Sequence, residues 1–286
     1  MVEKIRVGIV GNGFVGKATQ IFGNMMVELI VYDSIRDKCI PNNIKFDDLK
    51  KCDIVFICVP TPANKDGSCS TKILDNIIPK LKNIGQNNII IRSTIPPGFS
   101  DSYNCYFMPE FLREMHWEDD VRNTSKWILG VPINVTNVEN DNVVINIRRL
   151  LLSAKENGNI VNTDMNVISN LEAEITKLSR NCFLAVKVSF FNELYDYCSK
   201  IGANYNIIRE FVSFDKRIGD SHTYVPGPDG ERGFGGTCFP KDMMSMEYNM
   251  KGSGLEPIII SAVNDRNKNV DRKNRDWEKN KGRAVV

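Results

Sequence analysis

The chain has 286 residues, 42% of them hydrophobic, enough for one large or two ordinary globular domains. Lys and Arg total 37 against 35 Asp and Glu, and a net charge of +2 offers no broad field for nucleic acid or an acidic membrane surface. Eight cysteines (39, 52, 58, 69, 105, 182, 198 and 238) show no CxxC spacing, the start MVEKIRVGIV has no signal-peptide stretch, and no apolar run nears the roughly 20 residues that span a bilayer. A reducing cytoplasm and no transmembrane segment are therefore expected.

Residues 5–10, 27–32, 53–59 and 88–92 are short β-branched runs, most of them separated by stretches of helical length. Strands apolar on both faces need helices on each side, which predicts a doubly wound parallel α/β sheet. After about residue 164 the strand rhythm stops. Residues 166–203 then read as one helix with apolar positions at Ile168, Leu171, Ile175, Leu178, Cys182, Ala185 and Val188, and Gly202 as its stop. Such a helix is about 57 Å long at 1.5 Å per residue, longer than one small domain requires, so it can also carry a dimer interface. Residues 219–236 read as an ordered Gly/Pro-rich loop leading into a further helical region, and the charged end of the chain as a solvated tail. The expected domains are 1–164, 165–268 with the central helix and a small helical domain, and a tail at 269–286.

Gly11-Asn12-Gly13-Phe14-Val15-Gly16 follows the first strand and opens a helix. Its glycines suit a tight turn, a close approach of pyrophosphate and helix packing, the Rossmann-type dinucleotide fingerprint. Asp33 ends the next strand, where a carboxylate accepts from adenosine ribose hydroxyls and favours NAD over NADP. Lys38 adds a charge near the adenosine end or is a solvated lysine. Val59-Pro60-Thr61-Pro62 lies at the carboxyl end of a buried strand, where open α/β sheets hold ligands; its plain alternative is a Pro-rich turn.

Gly233-Phe234-Gly235-Gly236-Thr237-Cys238-Phe239-Pro240-Lys241-Asp242 is the sharpest signal. Glycines that let backbone lie against a ligand precede a thiol, a cation that favours thiolate, and an acid. A buried structural role is the usual one for cysteine and is expected for Cys52, Cys58, Cys182 and Cys198. His116 and His222 have no metal-spaced partners, so no metal site is expected.

With GNGFVG at 11–16, VPTP at 59–62, ST at 93–94, PEFLRE at 109–114, EAEITKLSRN at 172–181, DKRIG at 215–219 and GFGGTCFPKD at 233–242, nearly the whole chain resembles the UDP-glucose and GDP-mannose dehydrogenase family, nearest to its UDP-glucose 6-dehydrogenases. The resemblance implies two NAD-dependent oxidations, of the sugar C6 alcohol to an aldehyde and of a Cys238-bound thiohemiacetal to a thioester that water releases as the acid. It implies that Lys177 stabilises the developing oxyanion beside Asn181, that Glu110 is the acid-base glutamate, and that Thr94 and Asp242 help hold the water. Ser93, Thr94 and Glu114 would also line the cofactor. Phe111, Leu112, Arg113 and Glu114, together with Phe234, Gly235, Gly236 and Cys238, would line the substrate, and Arg217 would reach the substrate of a second subunit in a homodimer. Other roles stay open: Thr94 as a cap for a helix near Pro96, Glu110 as a loop acid, Lys177, Asn181 and Arg217 as surface residues.

The chain ends where the family normally continues into a second α/β domain that grips the nucleotide, and Arg232 in the loop at 225–232 is a candidate diphosphate contact. Three readings follow: an active nucleotide-sugar 6-dehydrogenase, a shortened relative that binds NAD or a partner without turnover, and a two-electron hydroxyacid dehydrogenase in which Cys238 is idle.

Overall fold

Strands form where the β-branched runs occur: β1 (Ile5–Val10), β2 (Val27–Tyr32), β3 (Ile54–Ile57), β4 (Ile89–Ile91), β5 (Tyr106–Phe107), β6 (Trp127–Val131) and β7 (Met165–Ser169). The computed structural model describes residues 4–286 and joins these strands into a seven-stranded sheet of order β2-β1-β3-β4-β5-β6-β7. The first five run parallel. β6 pairs antiparallel with β5, and β7 parallel with β6, so the sheet is mixed at that end.

Burial alternates along the strands and fills both faces. Ile5, Val7, Ile9, Ile54, Phe56, Ile90, Trp127 and Leu129 share one core with α1 (Phe14–Gln20), α4 (Trp117–Arg122) and α5 (Asn142–Glu156). Val10, Val55, Ile57, Ile89 and Ile91 share the other with α2 (Lys72–Asn83). A short α3 (Phe99–Ser102) leads into β5. Asp141 caps α5 by accepting from the backbone N–H of Val143 and Val144, both at 3.0 Å, a contribution of about 1 kcal/mol. The chain leaves β1 for β2 on one side and later places β3 on the other. The switch point thus lies between β1 and β3, at the carboxyl ends that carry the glycine motif and the VPTP segment.

The strand rhythm does not stop at 164, because β7 follows, and the long helix α6 spans Asn170–Ile201 instead of 166–203. Ser169 and Glu172 set its start: Glu172 Oε2 accepts from the Ser169 N–H, and Ser169 Oγ accepts from the Glu172 N–H, a capping box. Ile168 therefore belongs to the sheet. Gly202, at φ +75°, ends the helix as expected.

Two compact units divide the chain. The first runs to Thr61 and resumes over Thr71–Lys177; the second comprises Pro62–Ser70 and Leu178–Val286. The division falls inside α6, not at 164/165. In the second unit, Leu178, Cys182 and Ala185 of α6 pack with Phe234 of the preceding loop and with Met243, Met246 and Val263 of α8 (Phe239–Gly252) and α9 (Ile258–Arg266). Phe191 and Cys198 pack with Tyr205 of α7 (Tyr205–Ser213).

The end of the chain is not a fraying tail. Trp277 and Ala284 are buried, Arg272 pairs with Asp229 and Asp276, and Val285 bridges to Ala63. A few apolar anchors and a buried arginine paired with two carboxylates order a segment whose composition reads as solvent-loving. Among the described residues no helix is long and apolar enough to cross a membrane.

Candidate functional site

The glycine motif turns because it can. Gly11 sits at φ +97°, where a Cβ would lie 2.6 Å from the Cys58 carbonyl oxygen, and a Cβ on Gly16 would lie 2.0 Å from the Gly11 oxygen. Gly13 has nothing within 4 Å of its missing Cβ, which leaves a bare backbone edge for a diphosphate. Asp33 Oδ2 accepts from the Asn12 N–H at 2.7 Å and Oδ1 from the Ile35 N–H at 2.9 Å, so the carboxylate holds the loop and keeps further lone pairs for ribose hydroxyls. Lys38 contributes its carbonyl, which accepts from Asn12 Nδ2 at 2.7 Å, while its side chain is exposed. Phe14 and Val15 open α1 beneath this loop. These features fit a dinucleotide.

Beside it, Ser93 Oγ donates to the Val59 carbonyl at 2.6 Å, tying the ends of β3 and β4 together. Pro60 is exposed; Thr61 and Thr94 are buried. Thr94 does not cap a helix, since α3 starts at Phe99 with Gly98 as its N-cap. That loop is fastened from below: Glu174 of α6, fully buried, accepts from the N–H of Gly98 at 2.5 Å and of Ser100 at 2.8 Å.

One turn after Glu174, Lys177 Nζ meets Glu110 Oε1 at 2.8 Å, with side chains only 3% and 5% exposed. Glu110 Oε2 also accepts from the Leu112 N–H at 2.8 Å, and the Lys177 ammonium lies 5.7 Å from the Phe111 ring centroid. Lys177 is thus not a surface lysine, and Glu110, although it lies in the loop after β5, is not a solvated acid. Glu114 is half-buried; Arg113 turns outward and pairs with Asp120 at 2.6 Å.

In the second unit, Cys238 is the N-cap of α8 and partly exposed, where the helix dipole favours negative charge. Asp242, in the first turn and fully buried, accepts from Asn181 Nδ2 at 2.6 Å and from Lys241 Nζ at 2.5 Å. Burial opposes the charge on Lys241, but the Asp242 carboxylate and negative charge on the Cys238 and Cys69 sulfurs outweigh it and hold the ammonium above the ordinary lysine value. By contrast burial pushes Cys58 up to about 11 and Cys52 and Cys105 to about 12, as suits inert core thiols.

The glycines before Cys238 serve the chain more than a ligand. A Cβ on Gly233 would lie 2.3 Å from Asn267 Oδ1, and one on Gly235 2.5 Å from Arg272 Cζ; only Gly236, at φ +72°, keeps open space there. Asn267 clamps Phe234 by accepting from its N–H and donating to its carbonyl, both at 2.9 Å. Arg232 is engaged by Asp196 at 2.7 Å and Asp271 at 3.0 Å, and its Nε donates to Asn192 Oδ1 at 3.3 Å, so it is committed to groups of the fold. Arg217 is exposed and paired with Asp215 at 2.5 Å. Glu174, Asn267 and Arg272 escaped sequence reasoning. A buried charge in a polar stretch has no periodic signal, although Ser169 and Glu172 announced the helix that carries Glu174.

The family model described as "UDP-glucose/GDP-mannose dehydrogenase family, NAD binding domain" matches residues 35–146, and that family's "central domain" matches residues 171–269. Relatives include a UDP-glucose 6-dehydrogenase of Rickettsia bellii, 32% identical over 78% of this chain and 50% of its own, and one of Campylobacter jejuni, 31% identical over 71% and 51%. The chain thus spans about half the length of the curated relatives it matches. Among solved structures, a UDP-glucose dehydrogenase from Pyrobaculum islandicum aligns with a TM-score of 0.75 at 23% identity, over 91% of this chain and 67% of that one. A 3-hydroxyisobutyrate dehydrogenase of Mycobacterium tuberculosis shares the fold at 13% identity and a TM-score of 0.65, over 92% of both chains.

Proposed function

The chain belongs to the UDP-glucose/GDP-mannose dehydrogenase family, and from that membership we propose that it oxidises the C6 alcohol of a nucleotide sugar to the carboxylate, with UDP-glucose as first choice of substrate. GDP-mannose or a UDP-N-acetylhexosamine stand behind it. NAD, held by the Gly11–Gly16 loop and Asp33, supplies the hydride acceptor when bound.

The observation that carries this reading is the Lys177–Glu110 pair, a cation and a carboxylate 2.8 Å apart and nearly excluded from water. In water such a pair is weak; a dry setting strengthens its effect on charge that develops during reaction. Lys177, with Asn181 one turn on, stabilises the alkoxide and later the oxyanion. Glu110 takes and returns the proton. Cys238 adds its sulfur to the aldehyde carbon, which has no second hydride to give until it is tetrahedral. Loss of that hydride leaves a thioester on Cys238, and water, positioned by Thr94 and Asp242 and deprotonated by Glu110, breaks the C–S bond and returns the thiolate. Phe111, Leu112, Glu114, Phe234 and Gly236 are the proposed sugar-lining residues, and Arg217 serves a second copy in a homodimer. A cytoplasmic setting is proposed from the undisulfided cysteines among the described residues.

The shared fold with 3-hydroxyisobutyrate dehydrogenase keeps a two-electron oxidation in view, in which Lys177 and Asn181 act and Cys238 is idle. Stoichiometry separates the readings. The purified chain, given NAD and a panel of nucleotide sugars, is expected to form two NADH per sugar consumed and a uronic acid, and Cys238→Ser to form none of the acid. One NADH per sugar, or normal acid release by Cys238→Ser, removes the covalent step; no turnover with any sugar leaves a binding protein or a partner-dependent chain.

A further inference from the structure

Residues 62–70 depart from the sheet unit and pack with the second unit. Their turn is tightly tied: Ala63 bridges antiparallel to Cys69, and the Ser70 N–H donates to the Pro62 carbonyl at 2.8 Å. Its tip lies against α8, since a Cβ on Gly67 would meet the Met244 oxygen at 3.3 Å. Met244, Lys241 and Cys238 follow one another by threes back to the start of that helix, so the turn bearing Cys69 lies along the side of α8 that leads to Cys238. Negative charge on either sulfur favours the ammonium of Lys241, which lies largely out of solvent on α8. The other cysteines are set apart by burial: Cys39, Cys52, Cys58, Cys105, Cys182 and Cys198 are all buried, whereas Cys69 and Cys238 are partly exposed.

We propose that Cys69 is a resolving thiol for Cys238, and that a peroxide-class oxidant closes a reversible Cys69–Cys238 disulfide that switches the nucleophile off. A thiolate beside a cation and open to solvent is the form that peroxide attacks, and a neighbouring thiol captures the product before it oxidises further. In the first step the Cys238 sulfur displaces hydroxide from hydrogen peroxide: an S–O bond forms, the O–O bond breaks, sulfur loses two electrons and the hydroxide takes up a proton as water. In the second, the Cys69 sulfur attacks the Cys238 sulfenic acid, an S–S bond forms, the S–O bond breaks, and the hydroxyl leaves as water with the proton of Cys69. An external dithiol returns two electrons and two protons and restores both thiols. Gly67 against Met244 keeps the turn and α8 in contact.

The consequence for turnover rests on the role proposed for Cys238, but the bond itself does not, and peptide mass spectrometry reads it without any activity assay. The full-length protein is treated with excess hydrogen peroxide, alkylated and digested. A Cys69–Cys238 disulfide peptide is expected, lost after dithiothreitol. Cys69→Ser is expected to match the untreated wild type in NADH formation, yet to accumulate Cys238 sulfinic acid that dithiothreitol does not reverse, with recovery at least tenfold below wild type. Absence of the Cys69–Cys238 peptide from oxidised wild type, or equal recovery of the two proteins, overturns the pairing. A disulfide without any measurable turnover before oxidation leaves the pairing standing and overturns turnover by the chain alone instead.

Discussion

Lys177 and Glu110 stand 67 positions apart in sequence and are joined in a place that excludes water. Desolvating two charges costs several kcal/mol each, and their attraction offsets this only while both are present. Lys177→Met is therefore expected to strand the Glu110 carboxylate and lower the unfolding free energy by about 3–5 kcal/mol. The double variant Lys177→Met with Glu110→Gln holds no charge at the site and should recover most of that loss, while turnover stays abolished in both. Urea unfolding beside NADH formation makes the comparison; a Lys177→Met protein as stable as wild type would show that the two charges do not depend on one another. Each residue was legible in the sequence as a motif member, yet nothing local joined them, just as nothing local joined Asn181 to Asp242 across 61 positions. Pairing across such distances is set by the crossovers of the fold, which motif spacing does not encode.

Helix α6 shows what periodicity reads and what it misses. The apolar stripe expected to be buried splits, for Leu178, Cys182 and Ala185 are buried whereas Leu171 and Ile175 are exposed. The buried face of the first two turns is instead largely polar, with Asn170, Glu174 and Lys177 inward beside Ala173, and hydropathy assigns such polar residues to solvent. Buried charge is costly, and each of the two is held by partners, Glu174 by the Gly98 and Ser100 N–H groups and Lys177 by Glu110. Glu174 has a measurable signature. Burial raises its carboxyl above the ordinary 4.5, against the opposing hydrogen bonds from Ser100 and Gly98. The folded state then holds its proton to higher pH than the unfolded chain does, so this contribution to stability is full below pH 4.5 and is lost as pH rises through the folded value. Replacement by Gln, which cannot ionise, should flatten the fall in melting temperature over that window relative to wild type. Parallel slopes for the two proteins would mean that Glu174 titrates as if in solvent. The same element explains the displaced helix start, since a five-residue strand with only Val167 and Ile168 to declare it merges with the helical period that follows.

At the scale of the whole molecule, exposed aromatic side chains of the second unit call for a cover. Phe183, Phe190 and Tyr197 recur every seven residues on α6, one stripe of the helix, and Phe211 and Phe214 lie on and just after α7; all five are more than half exposed. Each aromatic side chain can bury roughly 150–250 Å², so five together approach the 800 Å² or so per partner of a standard protein interface. A monomer that stays alone rarely exposes a stripe of aromatic rings along one helix. A second copy of the chain is the proposed cover, in agreement with the homodimer expected of a helix longer than its own domain needs and with Arg217 exposed beyond the same region. Phe190→Glu combined with Phe211→Glu places carboxylates in that face, where burial would leave them unpaired and cost several kcal/mol. Sedimentation at micromolar concentration is expected to show a dimer for the wild type and a monomer for the double variant, with the melting transition of the sheet unit unchanged. A monomeric wild type at that concentration would assign the aromatic face to a different partner and remove Arg217 from any neighbour's substrate.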